Sequence, residues 1–128
     1  MNAYGFMREL DIPFEKAIER VTEELKKEGF GILTTIDLKA KFREKLNIDY
    51  KKYVILGACN PALAHKSLGA EESIGLMLPC NAIVYEKGDK TIVGIIKPSA
   101  AMGMIGNEEL RDIAEIVEAK LKKVSESL

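Results

Sequence analysis

The chain has 128 residues, 47% of them hydrophobic and 30% charged, a composition typical of one soluble domain spanning residues 1–128. It contains no run of about 18 consecutive apolar residues, and Met1–Asp11 lacks the apolar stretch of a secretory signal, so we expect a cytoplasmic protein with no membrane span. The formal net charge of -1 gives no global field that would attract nucleic acid, so we expect no nucleic-acid partner.

The first half of the chain begins with a strand, a helix and a second strand. Ala3–Leu10 is short and partly alternating, which predicts a first strand. Pro13–Glu28 has helical spacing of apolar residues, with Pro13 suited to a first turn and Gly29 to the left-handed position that ends a helix. The β-branched, apolar segment Phe30–Ile36 predicts the second strand.

Short helices then flank a third strand. Asp37 can cap a helix whose remaining surface is rich in lysine, and that basic run is interpreted as its solvated face. Tyr53–Ala58 is continuously apolar, which predicts a strand buried on both faces. Asn60 followed by proline predicts the start of another short helix, which we expect Gly69 to end.

The second half predicts a hairpin and a long helix. Ser73–Tyr85 is an apolar segment expected to form a long strand, with a bulge, bend or edge at Pro79. Glu86–Lys90 is a predicted turn, and Thr91–Ile96 returns as the fifth strand. Asn107 then caps a long helix with one apolar face.

Two long helices with one apolar face each need a common sheet face to bury those residues. The sequence therefore predicts an α+β fold, a two-layer sandwich in which a largely antiparallel five-stranded sheet carries both long helices on one face. The other sheet face must also be covered, by the short helices or by a second copy, so we expect a homodimer.

Two segments concentrate the side chains with chemical potential. Ile55–His65 contains Cys59, Asn60 and the one histidine of the chain, and Gly75–Asn81 ends in a second Cys-Asn pair. Two cysteines are too few for a disulfide framework, and neither belongs to a CxxC motif. We therefore interpret them as reduced thiols.

These two segments, together with the Pro13-Phe14 helix start, Gly29-Phe30-Gly31 and the Pro98-Ser99 turn, resemble the prokaryotic domain-of-unknown-function family 302 over nearly the whole chain. The resemblance implies an α+β fold similar to the TATA-box-binding-protein-like class, a prokaryotic cytoplasmic setting and homodimers. It implies no activity and supplies no catalytic residues.

A metal site is one hypothesis for these residues. Cys59, His65 and Cys80 supply the ligand types of an open zinc site, and a thiol-rich set also suits copper(I). However, if the third and fourth predicted strands pair directly, Cys80 should lie near the level of Tyr53, several residues from Cys59, which is too far for shared coordination. Only another strand order, or a kink at Pro79, would bring the two thiols together.

Two alternatives compete with metal binding. Cys59 beside a helix N-terminus, with His65 as base, has two parts of a thiol enzyme, but no residue clearly orients the histidine. The simplest interpretation makes both cysteines small buried hydrophobic residues of a structural or partner-binding module. The hypothesis we carry forward is a binding domain in which Cys59, Asn60, His65, Cys80 and Asn81 line one pocket for a small ligand or metal.

Overall fold

The computed structural model describes residues 2–128; Met1, the first residue of the predicted 1–128 domain, lies outside them. Within these residues the elements in chain order are β1 (Gly5–Leu10), α1 (Phe14–Lys27), β2 (Gly31–Asp37), α2 (Leu38–Leu46), β3 (Tyr53–Cys59), α3 (Pro61–Ala70), a 3-10 helix (Glu72–Met77), β4 (Cys80–Lys87), β5 (Lys90–Ile96), α4 (Pro98–Met102) and α5 (Glu108–Glu126). No helix among residues 2–128 is long and apolar enough to cross a membrane.

The five strands form one sheet in the order β1-β5-β4-β3-β2, and every neighbouring pair is antiparallel. The antiparallel α+β architecture predicted from the sequence is therefore confirmed. β2 and β1 are the two edges of this sheet, whereas β3, β4 and β5 each pair on both sides.

Both long helices pack on the same face of the sheet, as the pattern of apolar residues predicted. The core joins alternate residues of the central strands, such as Leu56 and Val84, to the buried faces of α1 and α5. The buried helix residues are Ala17, Val21, Leu25, Ile113, Val117, Leu121 and Val124. A second, smaller cluster contains Ile74, Met102, Leu110 and Ala114.

The three predicted N-cap residues, Asp37, Asn60 and Asn107, each cap their helix through a side-chain hydrogen bond. The carboxylate of Asp37 accepts a hydrogen bond from the Ala40 N–H, and the amide oxygens of Asn60 and Asn107 accept one from the backbone N–H three residues further on. Gly29 adopts a φ of 86°, which explains why a glycine ends α1.

The predicted strand over Ser73–Tyr85 is wrong in its first half. Residues 72–77 instead form the 3-10 helix, whose Ile74 is buried in the smaller cluster, and β4 begins at Cys80, directly after Pro79. A proline has no N–H to donate to the sheet, so the strand starts immediately after it. A continuous apolar run is equally compatible with a short buried helix, because it has no period that separates the two structures.

Three smaller corrections concern boundaries and burial. Gly69 lies inside α3, which continues to Ala70 before Glu71 turns to extended backbone. The turn between β4 and β5 is only two residues long, because Lys87 already pairs with Lys90. β3 is not buried on both faces, since Tyr53 and Ile55 are half-buried.

The residues of the sheet that point away from α1 and α5 form a surface that we call the tyrosine face. It includes Tyr53, Ile55, Asn81, Ile83, Tyr85, Gly94 and Met7, which lie on β3, β4, β5 and β1. The rings of Tyr53 and Tyr85, which are directly opposite in the register, are stacked 5.0 Å apart and 6° from parallel.

Candidate functional site

The largest concentration of predicted site residues lies at a cavity that we call the thiol cavity. Its volume is about 320 Å³, and it lies where the two hydrophobic clusters meet. Its lining comes from the start of β2, the end of β3, one face of α3, the segment before β4 and the helices α4 and α5. The lining residues are Phe30, Leu33, Ala58, Cys59, Asn60, Leu63, Ala64, Ser67, Leu68, Leu78, Pro79, Cys80, Met102, Ala114 and Val117.

The two thiols reach this cavity because of the sheet register. β3 and β4 are direct neighbours, and Ala58 lies opposite Cys80, so Cys59 is one residue away from that pair. The predicted separation, with Cys80 at the level of Tyr53, is therefore wrong. It assumed a strand beginning near Ser73, whereas the real strand begins at Cys80 and pairs from its first residue.

Asn60 lines the thiol cavity, but both polar atoms of its amide are engaged within the protein. Its Oδ1 accepts from the Leu63 N–H at 3.2 Å, and its Nδ2 donates to the Glu28 carbonyl at 3.4 Å. The side chain thus fastens the start of α3 to the end of α1. Asn60 therefore positions the cavity wall, and each polar atom of its amide already has one partner within the protein.

The remaining predicted residues lie elsewhere. His65 is exposed on α3 and does not line the thiol cavity. Asn81 is exposed and lines a different cavity, on the tyrosine face. Because successive residues of a strand point to opposite faces, Cys80 and Asn81 diverge. The structure therefore brings together Cys59, Asn60 and Cys80 but not His65 or Asn81.

The metal hypothesis gains no support from this arrangement. Among residues 2–128, no group of three or more His, Cys, Asp or Glu side chains is arranged to hold a metal ion. The thiol cavity itself contributes the two cysteine thiols and the thioether of Met102, and no imidazole or carboxylate. The predicted ligand set of Cys59, His65 and Cys80 is therefore not assembled there.

The surroundings of Cys80 keep its thiol protonated. Burial, with a smaller contribution from nearby Cys59, raises the pKa of Cys80 from 9.0 to about 11. A thiol with this pKa is a neutral, weakly polar group at physiological pH and a poor nucleophile. With His65 outside the lining, the cavity shows no nucleophile and base in mutual contact.

Sequence reasoning missed several residues of the site. The α3 positions that face the cavity are Leu63, Ala64, Ser67 and Leu68, which recur at helical spacing and place His65 on another side of the helix. The hydroxyl of Ser67 is satisfied internally, because it donates to the Leu63 carbonyl at 2.8 Å. The 3.6-residue period of α3 could have shown this, because it puts His65 on a different side of the helix from the residues that face the thiols.

Comparison with known proteins agrees with the fold. A model of the family described as Domain of unknown function DUF302 matches residues 6–128. The chain is also similar to a crystal structure of an uncharacterized conserved protein DUF302 from Bacillus stearothermophilus, with a TM-score of 0.91, 31% sequence identity and coverage of 98% of each chain. No curated protein sequence matches this chain at a significant level.

Proposed function

We propose that this chain, which belongs to the DUF302 family of unknown function, binds a small uncharged apolar molecule in the thiol cavity. The observation that carries the proposal is the lining: it contains no Asp, Glu, Lys, Arg or His side chain, and its two most polar residues, Asn60 and Ser67, already have partners in the protein. An apolar ligand loses no hydrogen bonds on entering such a space.

The size and openness of the cavity support the same ligand class. A volume of about 320 Å³ lies at the lower end of ligand pockets, which run from roughly 300 to 1,000 Å³, and exceeds the roughly 150 Å³ that suffices for benzene. Leu33 and Leu68 are 66% and 42% exposed, so the lining continues to the protein surface and offers an entrance. The polarisable thiols of Cys59 and Cys80 add favourable dispersion contacts with such a guest.

The proposal is tested with N-phenyl-1-naphthylamine, an uncharged probe whose fluorescence rises in apolar surroundings. We expect saturable binding by the wild type, and we expect Ala64→Phe, which fills the cavity, to weaken it by about tenfold or more. Ala62→Phe is the matched control, because Ala62 lies on the same helix but is exposed and outside the lining. Absence of saturable binding, or equal effects of the two variants, would overturn the proposal.

A second readout uses the thiols themselves. In a Cys80→Ala background, bound naphthylamine should slow the alkylation of Cys59 by N-ethylmaleimide, because half-buried Cys59 lines the occupied cavity. An unchanged alkylation rate at saturating probe would place the probe elsewhere.

We also propose that the protein acts as a homodimer in the cytoplasm of a prokaryotic cell, with the outer edge of β2 as the contact. Within residues 2–128, β2 pairs only with β3, and Asp37 is its one charged residue. Leu33 and Ile36 of this strand are exposed. An exposed edge strand whose single charge lies at its last residue has little to prevent it from pairing with another strand.

Light scattering tests the dimer. We expect the wild type to have twice the 14.2 kDa chain mass at micromolar concentration and Ile36→Lys to be a monomer. Leu76→Lys is the control and should remain a dimer, because Leu76 is exposed but lies outside the sheet. A wild-type monomer, or dissociation by Leu76→Lys alone, would contradict the β2 interface.

A further inference from the structure

A second cavity, of about 420 Å³, lies on the tyrosine face and is separate from the thiol cavity. It crosses β1, β5, β4 and β3, and the residues that define its character are Lys51, Tyr85, Ile83, Met7, Tyr4 and Asn81. No residue is shared with the lining of the thiol cavity. The two cavities therefore offer different side chains to a ligand.

The middle of this cavity suits a flat aromatic group. Gly94 has no side chain, and a Cβ built there would lie 2.7 Å from the Sδ atom of Met7, so the glycine lets the thioether fold against β5. Ile83 lies opposite Gly94 in the register and borders the same space. Sulfur and tyrosine rings both make favourable contacts with aromatic guests.

One end of the cavity is positively charged. The ammonium of Lys51 lies 4.8 Å from the centroid of the Tyr85 ring, and no carboxylate oxygen of residues 2–128 lies within 4.0 Å of it. No Asp or Glu lines the cavity. A ligand carboxylate at this end would meet a cation that has no anionic partner in the described chain.

The opposite end offers hydrogen-bonding groups. Asn81 and Tyr85 lie on the same strand, four residues apart, which corresponds to roughly 13 Å along a strand. The Asn81 amide makes no hydrogen bond to any residue of the described chain, and the 67%-exposed Tyr4 also lines the cavity. The cavity is thus elongated, with a cation at one end, apolar groups in the middle and a neutral polar group at the other end.

We propose that the tyrosine-face cavity binds an elongated aromatic carboxylate that carries a neutral hydrogen-bonding group at its far end. The carboxylate lies beside Lys51, the ring packs against Met7 and Ile83, and the distal group bonds to the Asn81 amide. Each part of the ligand has its own protein group, so each can be removed separately.

The probe is 6-hydroxy-2-naphthoate, compared with 2-naphthoate, which lacks the hydroxyl, and 6-hydroxy-2-naphthamide, which lacks the charge. We expect the wild type to prefer the hydroxynaphthoate over each analogue by about threefold to tenfold, as one exposed charge pair or hydrogen bond allows. Lys51→Gln should remove the preference over the amide, and Asn81→Ala the preference over 2-naphthoate.

Lys87→Gln is the matched control for charge, since Lys87 is exposed on β4 but lies outside the cavity lining. It should leave all three affinities within about twofold of the wild type. Equal affinities for the three probes, or loss of binding in Ala64→Phe, would overturn the proposal. NMR shifts at Tyr53 and Ile83 that depend on protein concentration and not on probe concentration would also overturn it, because they would assign this face to a second copy of the chain. Ala64→Phe also separates this test from that of the thiol cavity.

Discussion

Gly29 and Asn60 fix the geometry between the end of α1 and the start of α3. A Cβ built on Gly29 would lie 2.9 Å from the Asn60 Nδ2 atom, closer than real side chains approach, and Gly29 has a φ of 86°. A side chain at residue 29 would therefore displace the amide nitrogen from its present position, where it donates to the Glu28 carbonyl.

Gly29→Ala should destabilise the protein by about 1–2 kcal/mol, because alanine is strained at positive φ and its methyl group displaces the Asn60 amide. Denaturant unfolding followed by circular dichroism measures the change. Gly69→Ala is the control: Gly69 is exposed inside α3 with nothing within 4 Å of a built Cβ, so alanine there should add about 0.5–1 kcal/mol of stability. A neutral Gly29→Ala would show that the Asn60 contact is dispensable.

Asn60→Ala should cost about 1–2 kcal/mol, because it removes the cap of α3 and the bond to the Glu28 carbonyl together. The same substitution at Asn81 is a matched control, since that amide is exposed and has no hydrogen-bond partner among residues 2–128; its effect should stay within about 0.5 kcal/mol. The denaturant midpoints of unfolding of the two variants measure this difference. Equal midpoints would contradict a positioning role for Asn60.

The element order and the shared face of α1 and α5 could be predicted because each depends on local signals: a period, a cap or a glycine. The partners of Cys80 could not, because they depend on where β4 begins. The apolar run over residues 73–78 has no period that separates a strand from a 3-10 helix, and this uncertainty moved the predicted register by several residues. Given that β4 starts at Cys80, the alternation of side chains along a strand puts Asn81 on the tyrosine face.

Cys80 should make the stability of the protein sensitive to alkaline pH. Its pKa is about 11 in the folded protein, above its ordinary value of 9.0, so between these values the unfolded chain loses the proton while the folded protein keeps it. The contribution of Cys80 to stability is complete below about pH 9 and is lost as the pH rises through about 11, by up to roughly 3 kcal/mol.

The measurement compares the free energy of unfolding of wild type and Cys80→Ala from pH 8 to 11, because lysines and tyrosines titrate in the same range in both proteins. We expect the wild type to lose stability relative to the variant as pH rises. Parallel curves would mean that the Cys80 thiol ionises as easily in the fold as in the unfolded chain.

Gly57→Ala should disturb the sheet beside the thiol cavity more than any exposed glycine would. Gly57 is buried in β3, and a Cβ there would collide with the Thr34 Oγ1 atom and lie 2.8 Å from the Pro79 ring, which also lines the thiol cavity. Overpacking of this kind costs about 1–3 kcal/mol. Adding Thr34→Ala should restore only part of the loss, because it removes the hydroxyl but leaves the rigid proline ring in place.

The same variant tests whether Pro79 shapes the ligand site. If the added methyl group displaces Pro79, naphthylamine affinity should fall in Gly57→Ala and stay reduced in the double variant, since the second substitution does not relieve the proline contact. Gly31→Ala, at an exposed β2 position with nothing within 4 Å of a built Cβ, should change neither stability nor affinity appreciably. If Thr34→Ala restored both the stability and the naphthylamine affinity in full, the collision would involve the threonine alone and not Pro79.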